Sequence, residues 1–161
     1  MVKSLLLVWL FRGDIMSSVN ITFQDLTNFQ QLEQEAIELT KRVGVDILND
    51  MQYVTRGAAP FDTGQLEGNI SATSSSSADS FTGEIGVSSY NRGFDYGALR
   101  HDYPFNLGQG SLNKGGVTSN ITGQSFVVGY AFASETAEGD ADGYFKYIEE
   151  QLNDLLARYS S

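Results

Sequence analysis

The 161-residue chain has no cysteine, which excludes thiol nucleophiles, thiolate zinc sites, iron–sulfur clusters and disulfide frameworks. Its single histidine, His101, excludes any metal site or acid–base pair that needs two imidazoles. Proline is limited to two residues, where an average composition of ~5% would give several more. Cations are also scarce: ten Lys and Arg stand against twenty Asp and Glu, a net charge of −10. A surface of that sign opposes the counterion release that drives most binding to nucleic acids and anionic membranes. No Walker loop or dinucleotide fingerprint is present, since Gly108-Gln109-Gly110 lacks both the third glycine and a preceding strand. The apolar run Leu5 to Phe11 falls far short of the ~20 residues that span a bilayer.

What remains is enough chain for one domain with its own core. Seventeen glycines exceed the usual ~7% and suggest strands and glycine-rich loops. Residues 1–15 stand apart. Lys3 and the apolar run imitate a signal peptide, but Arg12 and Asp14 follow directly and no small-x-small cleavage site appears. The preferred reading is an extension upstream of a start at Met16; an apolar arm that docks on a neighbouring subunit and a poor signal peptide are the alternatives. Residues 16–161 then form a single domain. The Asn-x-Ser/Thr triplets at Asn20, Asn69 and Asn120 are read as accidents of a composition rich in Asn, Ser and Thr.

Leu32, Ala36, Leu39, Val43, Ile47, Met51 and Val54 recur at spacings of three and four, one stripe of a helix from about Asp25 to Arg56. Glu35, Glu38, Lys41, Arg42, Asp46, Asn49 and Asp50 are assigned to its opposite, solvated face. Gly44 marks a bend or a close helix contact. Gly57-Ala58-Ala59-Pro60 ends the helix, because proline cannot continue it. Alternation at Ile70, Ala72 and Ser74, and again at Phe81, Gly83, Ile85 and Val87, predicts a β-hairpin. Tyr90 to Gly123 reads as one long irregular loop. Phe126, Val128, Tyr130 and Phe132 predict a further, central strand with one bulky face. Phe145, Ile148, Leu152, Leu155 and Tyr159 predict a closing helix. The expected class is α+β: a long N-terminal helix, a small and mostly antiparallel sheet, a long loop and a C-terminal helix, with both helices able to cover one sheet face.

Three constellations bear on chemistry. Asp62-Thr63-Gly64 is the aspartic-protease tripeptide, but here it follows a helix and Pro60, and no second copy exists. The structural reading has Asp62 or Thr63 capping a short helical turn that begins near Gly64 and presents Leu66 and Ile70 to the core. Glu138 to Glu149 imitates a calcium loop through Glu138, Asp140, Asp142, Gly143 and Glu149. It departs in carrying Glu138 for aspartate and Lys146 where an oxygen is needed, and in following a strand-like segment rather than a helix. The preferred reading is Asp140 or Asp142 capping the closing helix; a calcium-binding module is the alternative. Around the histidine, Tyr96, Arg100, His101, Asp102 and Tyr103 form a loop suited to contacts with a neighbouring chain. A Ser-His-Asp triad is not expected, since adjacent His101 and Asp102 do not orient one another and no Gly-x-Ser-x-Gly elbow exists. No enzyme activity and no cofactor are expected.

Pro60-Phe61-Asp62-Thr63-Gly64-Gln65-Leu66-Glu67-Gly68-Asn69-Ile70 resembles the P-x-D-T-G-x-L-x-x-S-I signature of tailed-bacteriophage minor capsid or head–tail joining proteins, the neck and tail-completion family. Tyr96-Gly97-Ala98-Leu99-Arg100-His101-Asp102 is similar to that family's Y-A-x-x-x-H-E segment, and Tyr144-Phe145-Lys146-Tyr147-Ile148-Glu149 to its final K-F-L-E helix. The sequence departs in Asn69 for Ser or Thr, Asp102 for Glu, and an expanded Gly108 to Gly123 loop. The resemblance implies a non-enzymatic virion protein, made in the host cytoplasm and placed at the head–tail interface. It implies a homo-oligomeric ring, sixfold or twelvefold, between connector and adaptor proteins and the tail terminator, with double-stranded DNA passing through unbound and no membrane involved. Another tail component, tail tube or baseplate, is the alternative. Thr63 and Gly64 carry over as structure rather than chemistry. An acidic lumen repels DNA, and heterologous ring contacts suit a protruding loop or arm. Deletion of Gly108 to Gly123 is therefore expected to leave a folded monomer that cannot dock tails to heads.

Overall fold

The structure is a computed structural model and describes residues 26–61, 64–78, 80–87, 90–91, 94–95, 106–129 and 131–160. The N-terminal segment, Asp62, Thr63 and the Tyr96 to Tyr103 loop lie outside the described residues.

The periodic stripe forms a single helix, α1 (Leu26–Ala58), about 50 Å long at 1.5 Å per residue. It ends just before Ala59-Pro60, as proline demands. One turn of helix, α2 (Gln65–Gly68), leads into the hairpin β1 (Ile70–Ser76) and β2 (Phe81–Val87). Seven antiparallel pairs join the strands without a bulge, from Ile70↔Val87 to Ser76↔Phe81. Three smaller elements follow: the two-residue pair β3 (Tyr90–Asn91) and β4 (Phe94–Asp95), and the short helix α3 (Gln109–Lys114). A second two-residue pair joins β5 (Val117–Thr118) to β6 (Ser125–Phe126). Helices α4 (Phe132–Gly139) and α5 (Ala141–Tyr159) close the chain. The fold is α+β, with α1 as the spine against which the first hairpin, the β5–β6 pair and both closing helices pack.

Two apolar clusters divide α1 between them. Its first half lies on α5, where Leu32, Leu39 and Val43 meet Leu155, flanked by Ile148, Leu152 and Tyr159. Its C-terminal end joins the main core of Ala58, Ala59, Leu66, Ile70 and Phe132, with Ile85, Val87, Val117 and Phe126 around them. Gly44 does mark a close approach, to a strand rather than a helix: a Cβ there would lie 2.7 Å from Phe81 Cε1.

Three expectations change. The predicted central strand over 126–132 is confined to β6, because the chain turns instead onto the end of α1. Gly129 donates its N–H to Ala58 O at 3.2 Å, serving a carbonyl that a helix end leaves unpaired. Ala131 takes a left-handed φ of 53° at the cap of α4, and Phe132 enters that helix 1% exposed. Asp50 is not on the solvated face but buried at 5% exposed, whereas Phe145 of the expected apolar stripe is 65% exposed and Tyr144 takes its place inside. The third concerns Gly108 to Gly123, which does not protrude. It holds α3 and β5 against the end of α1, with Ser111 and Ser119 buried and Val117 packed on the main core. Its deletion would remove part of the fold.

Candidate functional site

The segment from Pro60 to Ile70 is a joint between α1 and the hairpin. Pro60, Leu66 and Ile70 are buried, so the apolar positions of the signature are core positions. Gly64 occupies the cap of α2 with φ +80°, a conformation that favours glycine over any residue with a Cβ. Leu66 and Ile70 face the core as expected. Neither Asp62 nor Thr63 is among the described residues, so the cap assigned to them is not observed.

Polar side chains lock this joint. Gln52 Nε2 and the Arg56 guanidinium, through Nε and Nη2, all donate to Ile70 O at 2.8–3.2 Å. From α3, Ser111 Oγ accepts from Phe61 N at 2.9 Å and donates to Phe61 O at 3.0 Å. Lys114 Nζ donates to Arg56 O at 2.6 Å and Ala59 O at 2.8 Å, serving helix-end carbonyls with a cation where the helix dipole favours one. Glu67 Oε1 has no hydrogen bond of good geometry but lies 2.6 Å from the same Lys114 Nζ, so the ion pair satisfies it.

A second lock sits at Asp50, in the C-terminal third of α1. The Asp50 carboxylate accepts Ser119 Oγ at 2.5 Å, Asn120 N at 2.8 Å and Tyr144 Oη at 2.8 Å. It thereby ties α1 to the β5–β6 turn and to the first turns of α5. Burial and the neighbouring carboxylate push the Tyr144 hydroxyl well above the ordinary tyrosine pKa. Nearer the main core, Thr55 and Thr136 share a buried hydrogen bond at 3.1 Å. At the far end, Tyr159 Oη and Gln31 Nε2 donate to Glu35 Oε1, holding that carboxyl below its usual range.

The calcium-like segment does not form a loop around a cation. Glu138 lies in the last turn of α4, while Asp142, Gly143 and Glu149 lie within α5. Glu138, Asp142 and Glu149 are exposed whereas Asp140 is buried, so the four carboxylates do not converge. Among the described residues, no group of three His, Cys, Asp or Glu side chains could hold a metal. Asp140 occupies the cap position of α5 as expected, but its side chain makes no capping hydrogen bond, and its buried Oδ2 meets no donor among the described residues. Tyr96, Arg100, His101, Asp102 and Tyr103 lie outside the described residues.

Two hollows among the described residues are open to solvent. One is lined by Gln52, Arg56, Asn69, Ile70 and Ser71, the other by Tyr53, Val117, Asn120, Phe126 and Val127. Leu112, Val127 and Phe145 project at 59%, 83% and 65% exposed. No described helix is long and apolar enough to cross a membrane.

Sequence reasoning missed Asp50, Ser111, Lys114, Ser119 and Tyr144. A signal existed only for the first. Asp50 lies seven residues after Val43 and four before Val54, inside the apolar stripe, where an acid must find donors. No protein-family model, curated protein or solved structure matches the chain.

Proposed function

We propose that this protein is a structural part of a tailed-phage neck, a ring subunit between the connector and adaptor proteins on the head side and the tail terminator. The observation that carries the reading is the Pro60 to Ile70 signature, whose apolar positions coincide with the joint between the long helix and the hairpin. A motif kept for architecture accounts for a protease-like triplet without a protease. Two further features favour assembly. The net charge of −10 suits a wall past which DNA must slide without sticking. The exposed Leu112, Val127 and Phe145 are the kind of side chains that interfaces cover. On this reading the protein performs no reaction and needs no cofactor, and it resides in the virion after assembly in the host cytoplasm.

Electron microscopy and native mass spectrometry of the purified full-length protein test the proposal. The expected result is a sixfold or twelvefold ring that also appears at the neck of particles. A chain that stays monomeric at high concentration and is missing from purified particles would refute it. A ring found along the tail tube or at the baseplate would move the protein to another part of the same virion.

A further inference from the structure

We propose that residues 108–115 form a latch that opens as a unit while the rest of the domain stays folded, and so controls how rigidly α1 is joined to the hairpin. The inference rests on the joint's geometry and does not depend on the neck reading.

Among the described residues the attachment is almost wholly polar. Helix α3 has one buried residue, Ser111, whose hydroxyl makes two hydrogen bonds to the Phe61 backbone. Lys114 adds the Arg56 and Ala59 carbonyls and the Glu67 carboxylate. Leu112, the one large apolar side chain in the helix, points outward at 59% exposed. Within the helix itself the tightest packing is Gly110, where a Cβ would lie 2.9 Å from the Phe61 ring. A segment held by hydrogen bonds and an ion pair, with little buried apolar surface, sits at the low end of local stability. Its bonds can be exchanged for water at small net loss.

Both ends are built to swing. Gly108 caps α3, and a Cβ there would meet nothing within 4 Å. At the other end Gly115, with φ +80°, likewise has nothing within 4 Å of a Cβ, whereas Gly116, with φ +97°, is seated against the Phe126 carbonyl and belongs to the anchored chain. Beyond them Val117 is packed on the main core and Ser119 is bonded to Asp50, so the hinge ends where the anchored chain begins. Opening would release Arg56 O, Ala59 O and both Phe61 backbone groups to water. Gln52 and Arg56 would still hold Ile70 O. The joint would be loosened on one side only.

Native-state hydrogen exchange on the full chain, followed by mass spectrometry across low denaturant concentrations, reads this directly. The Leu112 amide, bonded to Gly108 O, and its neighbours through Lys114 should exchange through an opening that scarcely depends on denaturant. Amides of Leu39 to Val54 should require the denaturant-sensitive global event. Lys114→Met should speed latch exchange by roughly 10- to 100-fold, since two hydrogen bonds to carbonyls and an ion pair are lost together and water replaces part of each, and leave α1 and α5 unchanged. Latch amides that exchange with the same denaturant dependence as α1 in the unaltered protein would overturn the proposal. So would a uniform acceleration of all amides in Lys114→Met. Should that variant fail to fold, the denaturant dependence of the unaltered chain decides alone.

Discussion

Replacing Asp50 with alanine should be among the most damaging single changes available in this fold. The carboxylate is 5% exposed and accepts three hydrogen bonds, from Ser119 Oγ, Asn120 N and Tyr144 Oη. Ser119 and Tyr144 are themselves 3% and 5% exposed, so neither hydroxyl gains ready access to water when its acceptor disappears. An unsatisfied buried donor costs about 1–3 kcal/mol. Two such donors and a partly buried amide give a loss of roughly 3–5 kcal/mol, tempered by any water that enters the space. In a domain of this size that lowers Tm by roughly 10–15 °C. Asp50→Asn should lose less, roughly 1.5–3 kcal/mol, since it keeps one acceptor oxygen but aims an NH2 at a donor. Urea unfolding followed by far-ultraviolet circular dichroism measures both. Asp46→Ala, an exposed position on the same helix, controls for removal of one negative charge and should stay within about 0.5 kcal/mol. An Asp50→Ala variant no less stable than that control would refute the account of α1 as a helix locked through Asp50.

Alkaline pH should weaken the domain through Tyr144. Its folded pKa lies above the ordinary value of 10.0, so above pH ~10 the unfolded chain loses a proton that the folded one keeps, and stability falls by up to about 1.4 kcal/mol per pH unit. Tyr144→Phe should be less stable at neutral pH yet show a shallower decline between pH 10 and 11.5; equal slopes would count against the buried hydroxyl. Gly44→Ala should destabilise by about 1–2 kcal/mol, the overpacking against Phe81 exceeding the gain in helix propensity, and pairing it with Phe81→Leu should recover most of the loss in urea titrations. Deleting residues 108–123 should yield a chain that no longer unfolds cooperatively, because Val117 and Ser119 go with it; a cooperative, soluble monomer would restore the view of this stretch as an appended loop. Phe145→Ser should leave Tm within about 1 °C, since the ring is 65% exposed, and on the proposed function should weaken self-association measured by sedimentation.

The sequence by itself determined the elements whose patterns repeat. Helix α1, the hairpin over 70–87 and helix α5 follow from apolar residues at three-four or alternate spacing, because a regular backbone turns spacing directly into a face. Pro60 set the end of α1 for an equally local reason. The buried Leu66 and Ile70 at the candidate joint were legible in the same way. Which of two adjacent aromatics enters the core was not: Tyr144 and Phe145 differ by one position on the helix, and the donor-hungry Asp50 opposite selected the one with a hydroxyl. Periodicity over 126–132 promised a strand. The end of α1 instead offered unpaired carbonyls and an apolar pocket, and the chain turned to supply the Gly129 N–H and the Phe132 ring. Gly108 to Gly123 looked shapeless because its order comes from partners about 50 to 70 residues away in sequence, through Ser111, Lys114, Ser119 and Asn120. Such bonds are specified by side chains brought together only once the spine, the hairpin and the closing helices are in place. Local pattern wrote the elements, and the need to satisfy buried polar groups decided how they were joined.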